Sequence, residues 1–312
     1  MNNKYKSGFA AVIGRPNVGK STLINSLIGQ KIVIMSDKPQ TTRNKITCVM
    51  TEENMQVVFI DTPGIHKPMH KLGEHMVNAA QNTLKEVDVI LFVIDATEKI
   101  GGGERYIMKQ LQATNKPIIL LINKIDLLDK GRILPIIAAY QAEYKKICEE
   151  EGSKSKTSNK FSTVIPISAK EKDNLPELLK ELNTALPEGP QYFPEDMVTD
   201  QPERLIVAEL IREKVLLSTR DEVPHAIAVD VEEMTTRQNK DVYIRATIYV
   251  ERDSQKRIVI GAKGSLLKQI GASSRADIQN LLGSKIYLDL WVKVKKDWRD
   301  RERLLKELGF ND

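Results

Sequence analysis

The chain has 312 residues and a formal charge of +5. That length accommodates one large core or two ordinary ones, and the charge points weakly to an anionic partner while equally suiting a soluble protein with none. No apolar run approaches a membrane span, Met1 to Ser7 lack a signal peptide's apolar region, and Cys48 and Cys148 show no disulfide or metal-site spacing, so a reduced cytosolic protein is expected.

The first strand candidate, Phe9 to Ile13, runs into Gly14-Arg15-Pro16-Asn17-Val18-Gly19-Lys20-Ser21, and a helical stretch follows from Ser21 to Leu27. The octet fits G-x-x-x-x-G-K-[ST], whose glycines let backbone N–H groups turn inward around phosphate oxygens while the next helix presents its positive end. Lys20 is placed to reach the β- and γ-phosphates and the Ser21 hydroxyl to meet Mg²⁺, with Gly14, Asn17, Val18, Gly19 and Thr22 completing the expected cradle. Thr47 to Met50 and Gln56 to Ile60 read as a hairpin. Asp61-Thr62-Pro63-Gly64 comes next, with Asp61 placed to hold the metal directly or through water. Helical periodicity covers about Lys71 to Leu84, Gly103 to Ala113 and Ile133 to Glu151, while Val87 to Asp95 and Ile118 to Ile122 are apolar strand candidates. Asn123-Lys124-Ile125-Asp126 follows the second of these strands. The Asp126 carboxylate matches the two N–H groups on one edge of guanine, a pair of donors that adenine lacks. Phe161 to Ile167 is a further strand ending at Ser168-Ala169-Lys170, and Asn174 to Leu186 is the closing helix. Singly these motifs have plain readings: a turn at Gly14 and Gly19, a helix cap at Asp61, a surface charge at Asp126. As an ordered set they predict a GTPase. Apolar strands joined by helices predict a mostly parallel sheet covered on both faces, an α/β fold with phosphate-loop chemistry at the strand ends. The polar run Glu150 to Lys160 has no periodicity and reads as a surface insertion.

Composition then changes. Leu186-Pro187-Glu188-Gly189-Pro190 ends the helix and an irregular segment continues through Pro194 and Pro202. The expected division is a nucleotide domain over 1–186, a linker over 187–200 and a second α/β domain over 201–312. In that domain Arg204 to Leu217 is helical, Ala226 to Val231 and Val242 to Val250 form a hairpin with turn residues Asn239 to Asp241, and Ile286 to Val294 alternates as a strand. Between them Gly261-Ala262-Lys263-Gly264 joins a helical segment, Asp253 to Ile260, to a longer one, Ser265 to Leu281. A G-x-x-G turn between helices is similar to the KH module, in which the loop clamps a single-stranded nucleic-acid backbone. Its position after a helix and a hairpin predicts the type II KH arrangement. Ile258 to Ile260 and Leu266 to Ile270 are then expected in the core, with Lys268 and Arg275 among the basic residues around the loop. The competing reading is a tight interhelical turn in a protein-binding domain. The basic tail from Lys293 to Arg303 is likewise either an extended RNA surface or a salt-laced cap, because Asp297, Asp300 and Glu302 interrupt it.

With these motifs and Ser36-Asp37-Lys38-Pro39-Gln40-Thr41-Thr42-Arg43 in place, the chain resembles the Era family of TrmE-Era-like GTPases, which act in assembly of the small ribosomal subunit. The resemblance covers nearly the whole chain and includes Asp61 to His66 and Glu251 to Lys256. It implies GTP and GDP as ligands, Mg²⁺, binding near the 3′ end of 16S rRNA and to the 30S subunit or its precursor, and peripheral association with the inner face of the membrane. It also implies that Thr42, in the first switch, joins Ser21 and Asp61 at the metal, and that Gly64 senses the γ-phosphate; Lys20, Thr42, Asp61 and Gly64 are therefore the expected catalytic set. Asn123, Lys124, Asp126, Ser168, Ala169 and Lys170 are expected around the base. Ile65 stands where small GTPases carry a catalytic glutamine, so slow intrinsic hydrolysis is expected. His66 is either a base or a solvent-facing residue, and Asn17 either helps to hold K⁺ or only braces its loop. The family's clamp often reads Gly-Lys-Gly-Gly; here the lysine, Lys263, is moved by one position.

Overall fold

The computed structural model describes residues 5–36, 38, 41–62, 71–150 and 160–309, the side chains of 75 and 81 aside. The expected positions Asp37, Pro39, Gln40, Gly64, Ile65 and His66, and the greater part of the Glu150 to Lys160 insertion, lie outside them. The chain forms two compact units. The first comprises Met1–Gln30, Thr42–Lys67 and Met76–Asp200, the second Lys31–Thr41, Pro68–His75 and Gln201–Asp312.

In chain order the first unit's elements are β1 (Lys6–Ile13), α1 (Lys20–Ile28), β2 (Ile46–Glu52), β3 (Met55–Asp61), α2 (Lys71–Glu86), β4 (Val89–Asp95), α3 (Gly102–Gln112), β5 (Ile118–Asn123), α4 (Ile133–Glu150), β6 (Thr163–Pro166) and α5 (Leu175–Ala185). The opening turn of α2 clusters with the second unit. Six strands make one sheet in the order β2-β3-β1-β4-β5-β6, with only β2 antiparallel to its neighbour. Every residue of β3, β4 and β5 is buried, so helices must cover both faces, which explains the continuous apolar runs. Strand order reverses at β1, and the loop following β1 therefore opens at the switch point of the sheet, where ligand crevices form in such folds. Tyr144 of α4 stacks on Phe161 with ring centroids 4.5 Å apart and helps close the core beside β6.

Residues 187–200 do not hang free as a linker. Val49 of the edge strand β2 donates its amide to Val198 O at 2.8 Å, and the Thr199 hydroxyl donates to Thr47 O at 2.6 Å. The Gln56 side chain accepts the amides of Tyr192 and Phe193 and donates to Phe193 O. These bonds satisfy part of an otherwise open sheet edge.

The second unit runs α6 (Glu203–Ser218), β7 (Ala228–Thr236), β8 (Val242–Val250), α7 (Asp253–Ile260), α8 (Ser265–Leu282), β9 (Ile286–Val294) and α9 (Glu302–Glu307). Its three strands pair in the order β7-β8-β9, antiparallel then parallel. The strand expected from Ala226 starts only at Ala228, because Ala226 closes a short 3₁₀ turn that Pro224 begins. The C-terminal basic run is folded down rather than free. Trp298 is fully buried with its indole N–H on Ala226 O at 2.9 Å, Arg299 pairs with Glu251 at 2.5 Å, and Lys295 and Arg303 both pair with Glu307. Among the described residues no helix is long and apolar enough to cross a membrane.

Candidate nucleotide site and nucleic-acid interface

The loop after β1 has a geometry only its own residues permit. Gly19 sits at φ +98°, and a Cβ there would lie 2.2 Å from the Asn123 side chain. A Cβ on Gly14 would lie 2.3 Å from Val93 O. Asn17 is also left-handed, at φ 66°, a region asparagine tolerates better than most residues. The tight turn brings Lys20 underneath the loop, where its ammonium donates to Gly14 O at 3.0 Å and Arg15 O at 2.9 Å.

Three oxygens converge beside it. The Thr42 hydroxyl donates to Asp61 Oδ2 at 2.9 Å, the Ser21 hydroxyl to the same oxygen at 3.2 Å, and the two hydroxyls stand 3.4 Å apart. The other Asp61 oxygen, Oδ1, is buried with no hydrogen-bond partner. A buried carboxylate with one oxygen unsatisfied and two hydroxyls on the other is a set of hard oxygens of the kind that Mg²⁺ takes. Ser21, Thr42 and Asp61 therefore fit the ion.

Lys20 and Asp61 are both buried, and burial dominates their ionisation. It lowers Lys20 to about 8, only partly offset by Asp61. It raises Asp61 to about 6, against the opposing pull of Lys20 and the Thr42 and Ser21 hydroxyls. Each charge thus lacks the counter-charge that a phosphate and a divalent cation provide.

The base-facing motif is wired to the phosphate loop through Asn123. Its amide N–H donates to Val18 O at 2.7 Å and its Oδ1 accepts the Ala169 amide at 2.9 Å, so one side chain ties two loops together. The Ala169 N–H is thereby engaged by protein, not left open. Ser168 donates its hydroxyl to Asp126 Oδ1 at 2.6 Å, and Asp126 is otherwise exposed at the end of β5. The Lys124 ammonium is 2.5 Å from Asp95, and this pairing together with Thr97 outweighs burial to hold the Asp95 carboxyl below its ordinary value. Lys170 is exposed and paired with Glu171 at 3.3 Å. Thr22 follows Ser21 on α1. A residue that sequence reasoning missed is Ser26, whose hydroxyl donates to Ala169 O at 2.6 Å and braces that loop against α1. No motif marks it; only its place on the helix, about a turn and a half after Ser21, does.

In the second unit Gly261 lies at φ +72°, and a Cβ there would meet Leu266 at 2.8 Å. Lys263 and Gly264 are also left-handed, at φ 50° and 79°. The loop therefore projects Ala262 and Lys263 into solvent at the N-terminal end of α8, and Lys268 and Arg275 are exposed further along that helix. Val259 and Ile270 are core residues, but Ile258 is 47% exposed and Leu266 only partly buried, contrary to the expectation for Ile258 to Ile260 and Leu266 to Ile270. In an eight-residue helix only one face reaches the sheet, and Val259 occupies it.

Nucleotide affinity follows from the two buried charges. Mg²⁺ needs Asp61 ionised, so affinity falls as pH drops below about 6. Phosphate needs Lys20 protonated, so affinity falls as pH rises above about 8. The expected Mg·GDP dissociation constant is lowest between these values and rises by up to about tenfold per pH unit outside them. Titrations from pH 5 to 9.5 test this, and Asp61→Asn should flatten the acid limb, separating it from the nucleotide's own terminal phosphate. A flat profile in the unsubstituted protein would contradict the assignment.

Comparison with known proteins agrees with both halves of this description. The family described as 50S ribosome-binding GTPase matches residues 9–124, and the KH domain family matches residues 222–299. GTPase Era of Alkaliphilus metalliredigens (strain QYMF) is 54% identical over 98% of this chain and 99% of its own length. GTPase Era of Alkaliphilus oremlandii (strain OhILAs) is also 54% identical, over 98% and 99%. Among solved structures, a point variant of Aquifex aeolicus Era bound to GDP·AlF4⁻ superposes with a TM-score of 0.90 at 40% identity, covering 98% of this chain and 100% of that one. An Era complex with MgGDPNP and nucleotides 1506–1542 of 16S ribosomal RNA gives 0.90 at 41%, covering 99% and 100%. A phosphate loop and G-x-x-G turn on one chain, matched over nearly its full length, make this protein a member of the Era family of GTPases.

Proposed function

We propose that this GTPase is a GTP-controlled RNA-binding factor that binds 16S rRNA near its 3′ end and assists maturation of the 30S subunit. One observation carries the reading: a G-x-x-G turn, left-handed at Gly261, Lys263 and Gly264 and with Ala262 and Lys263 exposed, stands on the same chain as a guanine-nucleotide site. The Era relative solved with MgGDPNP and 16S nucleotides supports the choice of RNA. A cytoplasmic location, and peripheral contact with the inner membrane surface, have the family resemblance as their support.

In this reading Gly14, Val18, Gly19, Lys20, Ser21 and Thr22 hold the phosphates, Lys20 neutralising charge as it develops in phosphoryl transfer. Bound Mg²⁺, held by Ser21, Thr42 and Asp61, supplies further charge neutralisation at the β- and γ-phosphates. Asp126, oriented by the Ser168 hydroxyl, accepts the paired N–H groups of guanine, while Asn123 keeps the base and phosphate loops in register. Ala169 and Lys170 flank the base, and Lys124 reaches it from beside Asp95. Hydrolysis removes what the first switch at Thr42 and the second at Gly64 bind, and the RNA is released.

Three experiments examine this reading. Asp126→Asn should weaken GTP by about 3 kcal/mol, roughly a hundredfold, and improve xanthosine triphosphate, because an amide meets that base's extra oxygen. An unchanged preference for GTP in that variant would remove Asp126 from the site. If Asn17 supports a K⁺ ion beside the phosphates, single-turnover hydrolysis should run faster in potassium than in sodium at equal ionic strength; equal rates would leave Asn17 a loop brace. Replacing Ala262 and Lys263 together by Asp should weaken binding of a 16S 3′-end RNA roughly a hundredfold while sparing GTP, since like charge is placed against phosphate. Both substitutions spare the turn glycines, and aspartate tolerates the left-handed conformation at 263. Unchanged fluorescence anisotropy with a folded second unit would favour the protein-interaction reading.

A further inference from the structure

Glu104, in the first turn of α3, is a buried charge that the nucleotide site does not itself use; its side chain is only 3% exposed. Both of its oxygens are committed. Oε2 accepts the Gly101 amide at 2.9 Å and caps the helix, which ties the carboxylate to its own backbone. Oε1 accepts Arg15 Nη1 at 2.7 Å, and Nη2 of the same guanidinium lies 2.8 Å from Glu98 Oε2. Arg15 is the second residue of the phosphate loop. Its stem passes so close to the start of α3 that a Cβ on Gly103 would lie 2.7 Å from Arg15 Cδ. All of these residues belong to the first unit.

Arg15 also has a backbone role. Its carbonyl accepts the Lys20 ammonium at 2.9 Å, beside Gly14 O at 3.0 Å. The place of the ammonium is thus set by two carbonyls, and one of them belongs to the residue whose side chain α3 holds. The planar fork of Arg15 meets two carboxylates, which restricts the guanidinium to one geometry. A buried ion pair adds little stability over apolar residues of the same volume. What Glu104 supplies to Arg15 is position.

We infer that Arg15 and Glu104 are positioning residues for GTP hydrolysis: Glu104 fixes the Arg15 side chain, and the Arg15 carbonyl in turn fixes the ammonium of Lys20. The inference rests on the reading of Lys20 as a phosphate contact, so the test includes Lys20→Ala.

Single-turnover hydrolysis by the full chain is measured for Arg15→Met, Arg15→Lys, Glu104→Gln, the double variant Arg15→Met with Glu104→Gln, and Lys20→Ala. GDP affinity and the thermal unfolding midpoint are measured for each. Arg15→Met and Glu104→Gln should slow hydrolysis between about tenfold and a hundredfold, the penalty of a charge held slightly out of place. GDP affinity should fall by a smaller factor, because a ground-state diphosphate tolerates a displaced ammonium better than the transition state does. Arg15→Lys, which keeps a cation for Glu104, should recover most of the rate. The double variant removes the unpaired buried carboxylate that Arg15→Met leaves, so its midpoint should return towards that of the unsubstituted protein while hydrolysis stays slow. Normal hydrolysis in both single variants, with Lys20→Ala impaired, would overturn the inference and leave Lys20 in its role. Recovery of rate together with midpoint in the double variant would assign the pair to folding and overturn it too. A loss of GDP affinity equal to the loss of rate would do the same. Normal hydrolysis in Lys20→Ala would overturn the reading beneath it.

Discussion

Two opposite charges buried side by side, Lys20 and Asp61, set the terms for the nucleotide unit. Neither is satisfied by the other: burial pushes the amine down to about 8 and the carboxyl up to about 6, and Asp61 Oδ1 has no partner. Such an arrangement is costly in a folded protein and is sustained only by surroundings that leave the side chains nowhere else to go. Here those surroundings are backbone. Gly14 and Gly19 admit a turn tight enough to bring Lys20 under its own loop, and β3 delivers Asp61 at its last residue. A polyanion with a divalent cation would relieve both defects at once.

The remaining parts of the site act on the position of these two groups. Asn123 spans from Val18 O to the Ala169 amide, so motifs more than a hundred residues apart in sequence are tied together by one side chain. Ser26 and Ser168 brace the same loops through single hydroxyls. Thr42 is the exception among the contacts of Asp61, since it stands on a stretch whose preceding residues cluster with the other unit.

Much of this was legible because local chemistry dictates it. Strands β8 and β9 and helix α7 have the bounds that alternation and helical spacing assign, and Gly19, Gly261 and Gly264 sit at positive φ in their loops. What could not be read depends on tertiary partners. Lys31 and Glu213 lie far apart in the chain, and neither carries a motif, so their pairing leaves no trace in either local pattern. The run Ile258-Val259-Ile260 offers three aliphatic residues to a helix that buries one face, and composition alone does not choose Val259. Strand β7 continues through Glu232 and Glu233 to Thr236 because β8 supplies partners, overriding a polar local sequence, with a bulge at Val231/Glu233 taking up the extra residue. The basic C-terminal run reads as a surface from its charges, yet Trp298 anchors it, and Lys295, Arg299 and Arg303 are spent on Glu251 and Glu307.

The central claim is that nucleotide state governs RNA binding. It is tested most directly by measuring the affinity of the full chain for a 16S 3′-end RNA with Mg·GDPNP and again with Mg·GDP, at one salt concentration. The account expects the triphosphate analogue to tighten RNA binding by about 5- to 150-fold, the range of ordinary coupling between two sites. Equal affinities in the two states would contradict it.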